Sequence, residues 1–244
     1  MENTKQKFEE IKKSNNPEII NDFLINLSKN PMGEHLIYIR DLIENLDNQI
    51  LPKVTLNLTF ALGEIGNKTY LDEYFLDFLF ETYHQSDRWI RNEIIQTIKK
   101  ISENSELNEK IIFLIGHALN DDYIPIQFNA LKTLVNLKSF PDSVFKNFLH
   151  VLNSKNSEII EECRRFLNKL QLDENRLFNL LNQKENYKIL KLGAIRALFL
   201  IQFKSIIPLE TFRGNIVSSA WEKNYKDIFL NELDTFERIL IKNI

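Results

Sequence analysis

Hydrophobic and polar residues follow one another along this chain with the period of an α-helix. Five segments share one phase and begin at Val54, Ile90, Ile126, Ile159 and Leu190. Apolar or small side chains stand at offsets 0, 4, 7, 8 and 11 from each start. These offsets form one stripe on a helix of about 3.6 residues per turn. The starts are 36, 36, 33 and 31 residues apart, so the chain contains a repeat of short period.

A second amphipathic segment precedes each of these five, and a short polar turn separates the two. The turns are predicted at residues 47–48, 85–87, 120–122, 153–156 and 184–186, which are rich in residues that cap helix starts. Six glycines and six prolines in 244 residues are too few for the many tight turns of a β protein. The pattern therefore predicts an all-α protein built from antiparallel helix pairs.

The two ends of the chain depart from the repeat. Residues 1–33 are predicted to form an N-terminal capping pair of helices, residues 34–201 the five repeats, and residues 202–244 a C-terminal capping pair. Terminal repeats need a more polar outer face because no further repeat covers them. No linker interrupts the pattern, so we predict a single domain over residues 1–244.

The second helix of each pair resembles the second helix of a HEAT repeat. The clearest copies are residues 87–91, with Arg88 and Arg91 near the helix start, and residues 190–198, with Lys191 near the start and the small residues Ala194 and Ala197 before Leu198. The resemblance, to the short-repeat type of this armadillo-like family, implies a right-handed α-solenoid of about six to seven helix pairs with the second helices on the concave side. Two departures are the short period and the presence of Gln127 and Ile160 where the family carries a basic residue.

The composition and net charge of the chain bear on its binding partners and on its cellular location. A net charge of −3 argues against a dedicated nucleic-acid binder, which carries a basic excess. The polar N-terminus lacks an apolar signal core, and no apolar run approaches the roughly 18 residues that span a bilayer. With Cys163 as the only cysteine, no intramolecular disulfide can form. We therefore expect a cytoplasmic protein without membrane insertion.

Basic residues gather on the predicted second helices, whereas the first helix at residues 71–85 carries four acidic residues and no Lys or Arg. We define the basic ridge as the six candidate partner-binding residues of the concave face: Arg88, Arg91, Lys99, Lys132, Lys188 and Lys191. One interpretation is that the ridge attracts an acidic protein partner. The other is that these side chains are solvated flanks whose stems cover apolar surface.

The sequence gives little indication of a metal site or a cofactor site. His117 and His150 stand at matching positions nine residues before their segments, whereas His84 is about one helical turn out of step. A zinc site needs three or four ligands, and Cys163 stands on the interior stripe, where it acts as a small hydrophobe. We predict no metal, no cofactor and no catalytic residue.

An enzyme on the same scaffold is the alternative. HEAT-like repeats also form DNA alkylpurine glycosylases, and a chromophore lyase is a further possibility that the resemblance brings. Against this, Trp89 is expected to pack at the start of its helix, and the charge is acidic. Gly63 and Gly66 are expected at a helix end, with Gly66 as a cap, and not in a phosphate-binding loop.

The favoured interpretation is a non-catalytic interaction scaffold or adaptor that binds a protein through its concave face or its terminal helices. The C-terminal helix is the second candidate contact. We expect Phe229, Phe236 and Ile239 to be only partly covered there, where they would support a homo-oligomer or docking.

Overall fold

The computed structural model describes residues 2–103, 105–137, 141–170 and 172–242. Within these ranges 79% of residues are helical, fifteen α-helices are present and no strand occurs. The all-α prediction is confirmed. No helix in the described ranges combines the length and the apolar character needed to cross a bilayer.

The chain divides into two compact units. Unit 1 comprises Met1–Ala118 and Tyr123–Lys138, and unit 2 comprises Leu119–Asp122 and Ser139–Ile244. The interpretation of residues 1–244 as a single domain stays a prediction.

Unit 1 contains eight α-helices and one short 3-10 helix. They are α1 (Glu2–Ser14), α2 (Pro17–Lys29), the 3-10 helix (Gly33–His35), α3 (Leu36–Asn45), α4 (Leu51–Gly66), α5 (Glu73–Gln85), α6 (Arg88–Ser102), α7 (Glu109–Ala118) and α8 (Ile124–Asn136). Helices α2, α4, α6 and α8 pack side by side in that order, and we call them the second-helix layer of unit 1. Helices α1, α3, α5 and α7 contact α2, α4, α6 and α8 respectively, and α5 also contacts α7.

Polar side chains cap some helix starts of unit 1, although α4 and α8, which follow the turns predicted at 47–48 and 120–122, begin without a side-chain cap. The Asn16 side chain accepts a hydrogen bond from the Glu18 N–H at 2.9 Å, and Asp87 accepts from the N–H groups of Trp89 and Ile90. These bonds satisfy backbone donors that have no partner within the helix.

The predicted apolar stripe forms the core. In α4 all five of its positions are buried: Val54, Leu58, Ala61, Leu62 and Ile65. Offsets 4 and 8 are buried in all five segments. The helical period of the sequence therefore identified the packed face correctly in both units.

Gly63 and Gly66 lie in α4 where this helix meets its neighbours. A Cβ atom on Gly63 would stand 2.7 Å from Thr97 Oγ1 and 3.3 Å from Thr97 Cα of α6. A Cβ on Gly66 would stand 2.8 Å from Leu71 Cδ1 and 2.9 Å from Ile101 Cγ1. The expectation that Gly66 serves as a cap is wrong: it is the last residue of the helix, and no described glycine has a positive φ. Both glycines are needed for space.

Unit 2 contains seven α-helices. They are α9 (Asp142–Val151), α10 (Ser157–Leu170), α11 (Glu174–Leu181), α12 (Lys184–Tyr187), α13 (Leu192–Gln202), α14 (Ile206–Ser218) and α15 (Lys223–Lys242). Helix α10 packs against α13 and α13 against α15, while α11 packs against α14. The turn predicted at 184–186 is instead the single helical turn α12.

Candidate interaction surface

One face of α6 and α8 points away from the core of unit 1 and combines cations with aromatic rings. We call it the α6–α8 surface and define it by Arg88, Trp89 and Lys99 of α6 with Tyr123 and Lys132 at α8. Trp89 is 56% exposed. The ring lies at the start of its helix, as expected, and contacts Arg88 and Tyr123, but more than half of the residue stays exposed.

Arg88 is held against two rings of this surface. Its guanidinium carbon lies 5.1 Å from the ring centroid of Trp89 and 5.3 Å from that of Tyr123. The two rings are 5.9 Å apart and inclined by 66°. Within the described part of the chain no carboxylate pairs with Arg88, and the neighbouring Asp87 is engaged as the helix cap.

Arg91 lies elsewhere. Its Nη1 atom donates to the carbonyl of Ser86 at 3.2 Å, and its guanidinium carbon stands 6.0 Å from the centroid of the buried Tyr83 ring of α5. The side chain thus lies against the turn between α5 and α6. Arg91 therefore lies apart from Arg88, and its assignment to the basic ridge stays a prediction.

The two lysines of the α6–α8 surface differ from their neighbour Lys100. Lys132 Nζ lies 4.0 Å from the ring centroid of Phe128, and Lys99 stands in the last turn of α6. Neither lysine forms a salt bridge with the residues that the structure describes. Lys100, by contrast, pairs with Glu64 of α4 at 2.7 Å, which neutralises it.

The remaining ridge residues, Lys188 and Lys191, belong to unit 2 and are exposed. Lys188 follows α12, and the backbone N–H of Lys191 donates to Asn153 Oδ1 at 3.3 Å before α13 begins. Burial lowers the pKa of His150, and the positive charges of Lys146 and Lys191 lower it further. No aromatic side chain stacks on either ridge lysine in the described ranges, unlike the arrangement at Arg88.

Glu93 of α6 carries a carboxylate oxygen, Oε1, that is buried and without a hydrogen-bond partner among the described residues. Burial raises the pKa of this carboxyl, the negative charge of Glu64 raises it further, and Lys100 opposes both. Because the folded-state pKa lies above that of the unfolded chain, the unfolded state ionises first as the pH rises past about 4.5. That ionisation favours unfolding.

Replacing Glu93 by glutamine is therefore expected to raise the free energy of unfolding at pH 7 and to leave it nearly unchanged at pH 3.5, where glutamate is protonated in both states. Urea titrations at the two pH values measure the difference. The same change at the exposed Glu103 is the control and should show no such pH dependence. An equal gain for Glu93→Gln at both pH values would contradict the explanation.

The histidines pair differently from the expectation. The His84 and His117 rings, at the ends of α5 and α7, have centroids 5.5 Å apart. The sequence places His84 about one helical turn out of step, because it lies six residues before its repeat segment and His117 lies nine residues before its own. In the structure the two rings nevertheless lie close together, because both residues stand at the ends of neighbouring helices, α5 and α7. No group of three or more His, Cys, Asp or Glu residues in the described ranges is arranged to hold a metal ion.

Cys163 is buried in α10, as the apolar stripe predicted. Burial raises the pKa of its thiol to about 12, and the charge of Glu162 adds to this effect. A thiol in this state is a poor metal ligand and a poor nucleophile because both roles require the thiolate.

Of the three residues of the C-terminal helix that were expected to be only partly covered, two are buried and one is exposed. Phe229 and Phe236 are 0% and 7% exposed, so both belong to the core of unit 2, which corrects the expectation for these two rings. Ile239 is 44% exposed. It borders a groove of about 260 Å³ between α13 and α15. The groove is lined by Arg196, Phe199, Leu200, Glu232, Thr235, Phe236 and Ile239.

Comparison with known proteins does not identify a family for this chain. No protein-family model matches the chain, and no curated protein sequence matches it. Among the solved structures that resemble it are two described as engineered proteins of the Northeast Structural Genomics Consortium. One is 15% identical over 93% of this chain and 96% of that chain, with a TM-score of 0.48. The other is 15% identical over 88% and 64%, with a TM-score of 0.43. Both scores lie below 0.5, so neither likeness supports an argument.

Proposed function

We propose that the chain is a non-catalytic interaction scaffold or adaptor with HEAT-type repeats, which binds an acidic protein partner through the α6–α8 surface. The observation that carries this proposal is the contact of Arg88 with the exposed Trp89, on a surface where Arg88, Lys99 and Lys132 all lack a carboxylate partner in the described ranges.

Two physical arguments favour a binding surface over a solvated helix flank. Cations that are not neutralised by neighbours attract acidic surfaces and speed their association. Tryptophan, tyrosine and arginine are also the residues that most often dominate the binding energy of protein interfaces. The flank interpretation explains lysine stems on apolar surface, but it does not explain why Trp89 is exposed.

Selection of random peptides on the folded chain tests this proposal. We expect acidic peptides to be enriched and their affinity to fall as salt increases, because salt screens exposed charges. Enrichment of basic or uncharged peptides, or affinity that does not change with salt, would contradict it. A homo-oligomer through Ile239 and a cytoplasmic location stay predictions.

A further inference from the structure

Arg88 is the feature of the α6–α8 surface best prepared to bind a ligand. An arginine side chain normally loses considerable conformational freedom on binding, but here two rings already confine its guanidinium. Its N–H donors form no hydrogen bond with the residues that the structure describes, so they stay available for a carboxylate. The neighbouring Asp87 accepts two backbone N–H bonds through its Oδ1 atom and forms no ion pair with Arg88 among the described residues.

Apolar surface adjoins this guanidinium. Trp89 is more than half exposed, and Ile124, the residue after Tyr123, is also exposed at the start of α8. A ligand that places a carboxylate on Arg88 therefore brings its next residues over these side chains. This arrangement fits an acidic residue followed by an aliphatic one.

Lys99 adds a second cation on the same helix. It follows Arg88 by eleven residues, which corresponds to about 16 Å along the helix axis at about 1.5 Å per residue. An extended peptide covers about 3.3 Å per residue and therefore spans this distance in roughly five residues. Lys132 of α8 lies nine residues beyond Tyr123, about 13 Å along its own helix. The contacts of Trp89 with Tyr123 and of Asn92 with Asn129 show that α6 and α8 run in the same direction, so Lys132 and Lys99 lie on the same side of Arg88.

From these placements we propose that the α6–α8 surface binds an extended acidic peptide segment of a partner protein, anchored by a carboxylate on Arg88. An aliphatic side chain of the segment covers Trp89, and a second carboxylate about five residues away meets Lys99 and Lys132. This inference rests on the proposed function and specifies its binding site.

Fluorescence anisotropy tests the anchor with a fluorescein-labelled dodecapeptide that has two glutamates five residues apart and leucine after the first. Its counterpart with glutamine in place of both glutamates is the uncharged probe. We expect Arg88→Gln to weaken binding of the acidic peptide at least tenfold, and Trp89→Ala to weaken it several-fold. Lys13→Gln, at an exposed position of α1, removes one charge elsewhere and should change the affinity less than twofold.

Tryptophan fluorescence supplies a local readout. The chain has two tryptophans, and Trp221 is buried, so iodide quenching reports mainly on Trp89. We expect the acidic peptide, and not the glutamine peptide, to protect this fluorescence from iodide. Binding that survives Arg88→Gln unchanged, or that leaves quenching unchanged, overturns the anchor while the proposed function stands. If neither this peptide nor any selected acidic peptide binds, both are overturned.

Discussion

Replacing Phe212 by alanine is expected to lower the free energy of unfolding by about 3–5 kcal/mol, the cost of a large cavity in a packed core. Phe212 of α14 is fully buried, and its ring centroid lies 5.7 Å from that of Phe199, 5.3 Å from Phe203 and 6.3 Å from Phe229. These neighbours come from α13, the segment after it, and α15, so they cannot close the gap without moving helices.

Urea denaturation followed by circular dichroism measures this loss. Phe113→Ala is the matched control, because that ring lies on α7 of unit 1 and is 53% exposed. Its effect should be several-fold smaller. A loss below about 1 kcal/mol at Phe212 would mean that the aromatic cluster of unit 2 is not packed as described.

Gly63→Ala is expected to destabilise the chain by about 1–2 kcal/mol, although alanine is the better helix former. The added Cβ would stand 2.7 Å from Thr97 Oγ1, and this hydroxyl donates to the carbonyl of Thr59 at 3.0 Å. The hydroxyl cannot turn away without losing that bond, and Thr97 Cα at 3.3 Å limits the remaining space. Helices α4 and α6 must therefore move apart.

The same substitution at Gly214 should have the opposite sign. Nothing lies within 4 Å of a Cβ at this exposed position of α14. The helix then gains about 0.5–1 kcal/mol from alanine. Thermal and urea unfolding of both variants gives the comparison. Adding Thr97→Ala should reduce the cost of Gly63→Ala, and stabilisation by alanine at both glycines would rule out the close approach of α4 and α6.

The core could be predicted from the sequence because burial follows the helical period directly. A residue on the apolar stripe has one way to be covered, and Leu58 and Ile94 are buried as the stripe requires. The close approach at Gly63 was missed because it depends on where two helices touch, and the sequence of α4 alone does not contain that information.

The candidate surface was only partly predictable for a related reason. Arg88 and Arg91 are three residues apart, yet one faces outward and the other contacts the α5–α6 turn. In the first turn of a helix, the residue at which the helix begins decides which way each side chain points. Asp87 caps α6 and therefore fixes its first residue. This cap, combined with the helical period, was the sequence signal that could have placed Arg88 and Trp89 on the outward face. At the C-terminus, Phe229 is covered by side chains of α13 and α14, which no local pattern reveals.

The affinity of the acidic dodecapeptide for a triple variant, Arg88→Gln with Lys99→Gln and Lys132→Gln, tests the central claim most directly. Its charge-matched control replaces three exposed lysines outside the α6–α8 surface by glutamine, at Lys13, Lys155 and Lys223. Both variants lose the same net charge, so a general electrostatic attraction would weaken both equally. We predict that the first variant loses well over tenfold in affinity and the control less than threefold. Equal losses in the two variants would contradict the assignment of partner binding to the α6–α8 surface.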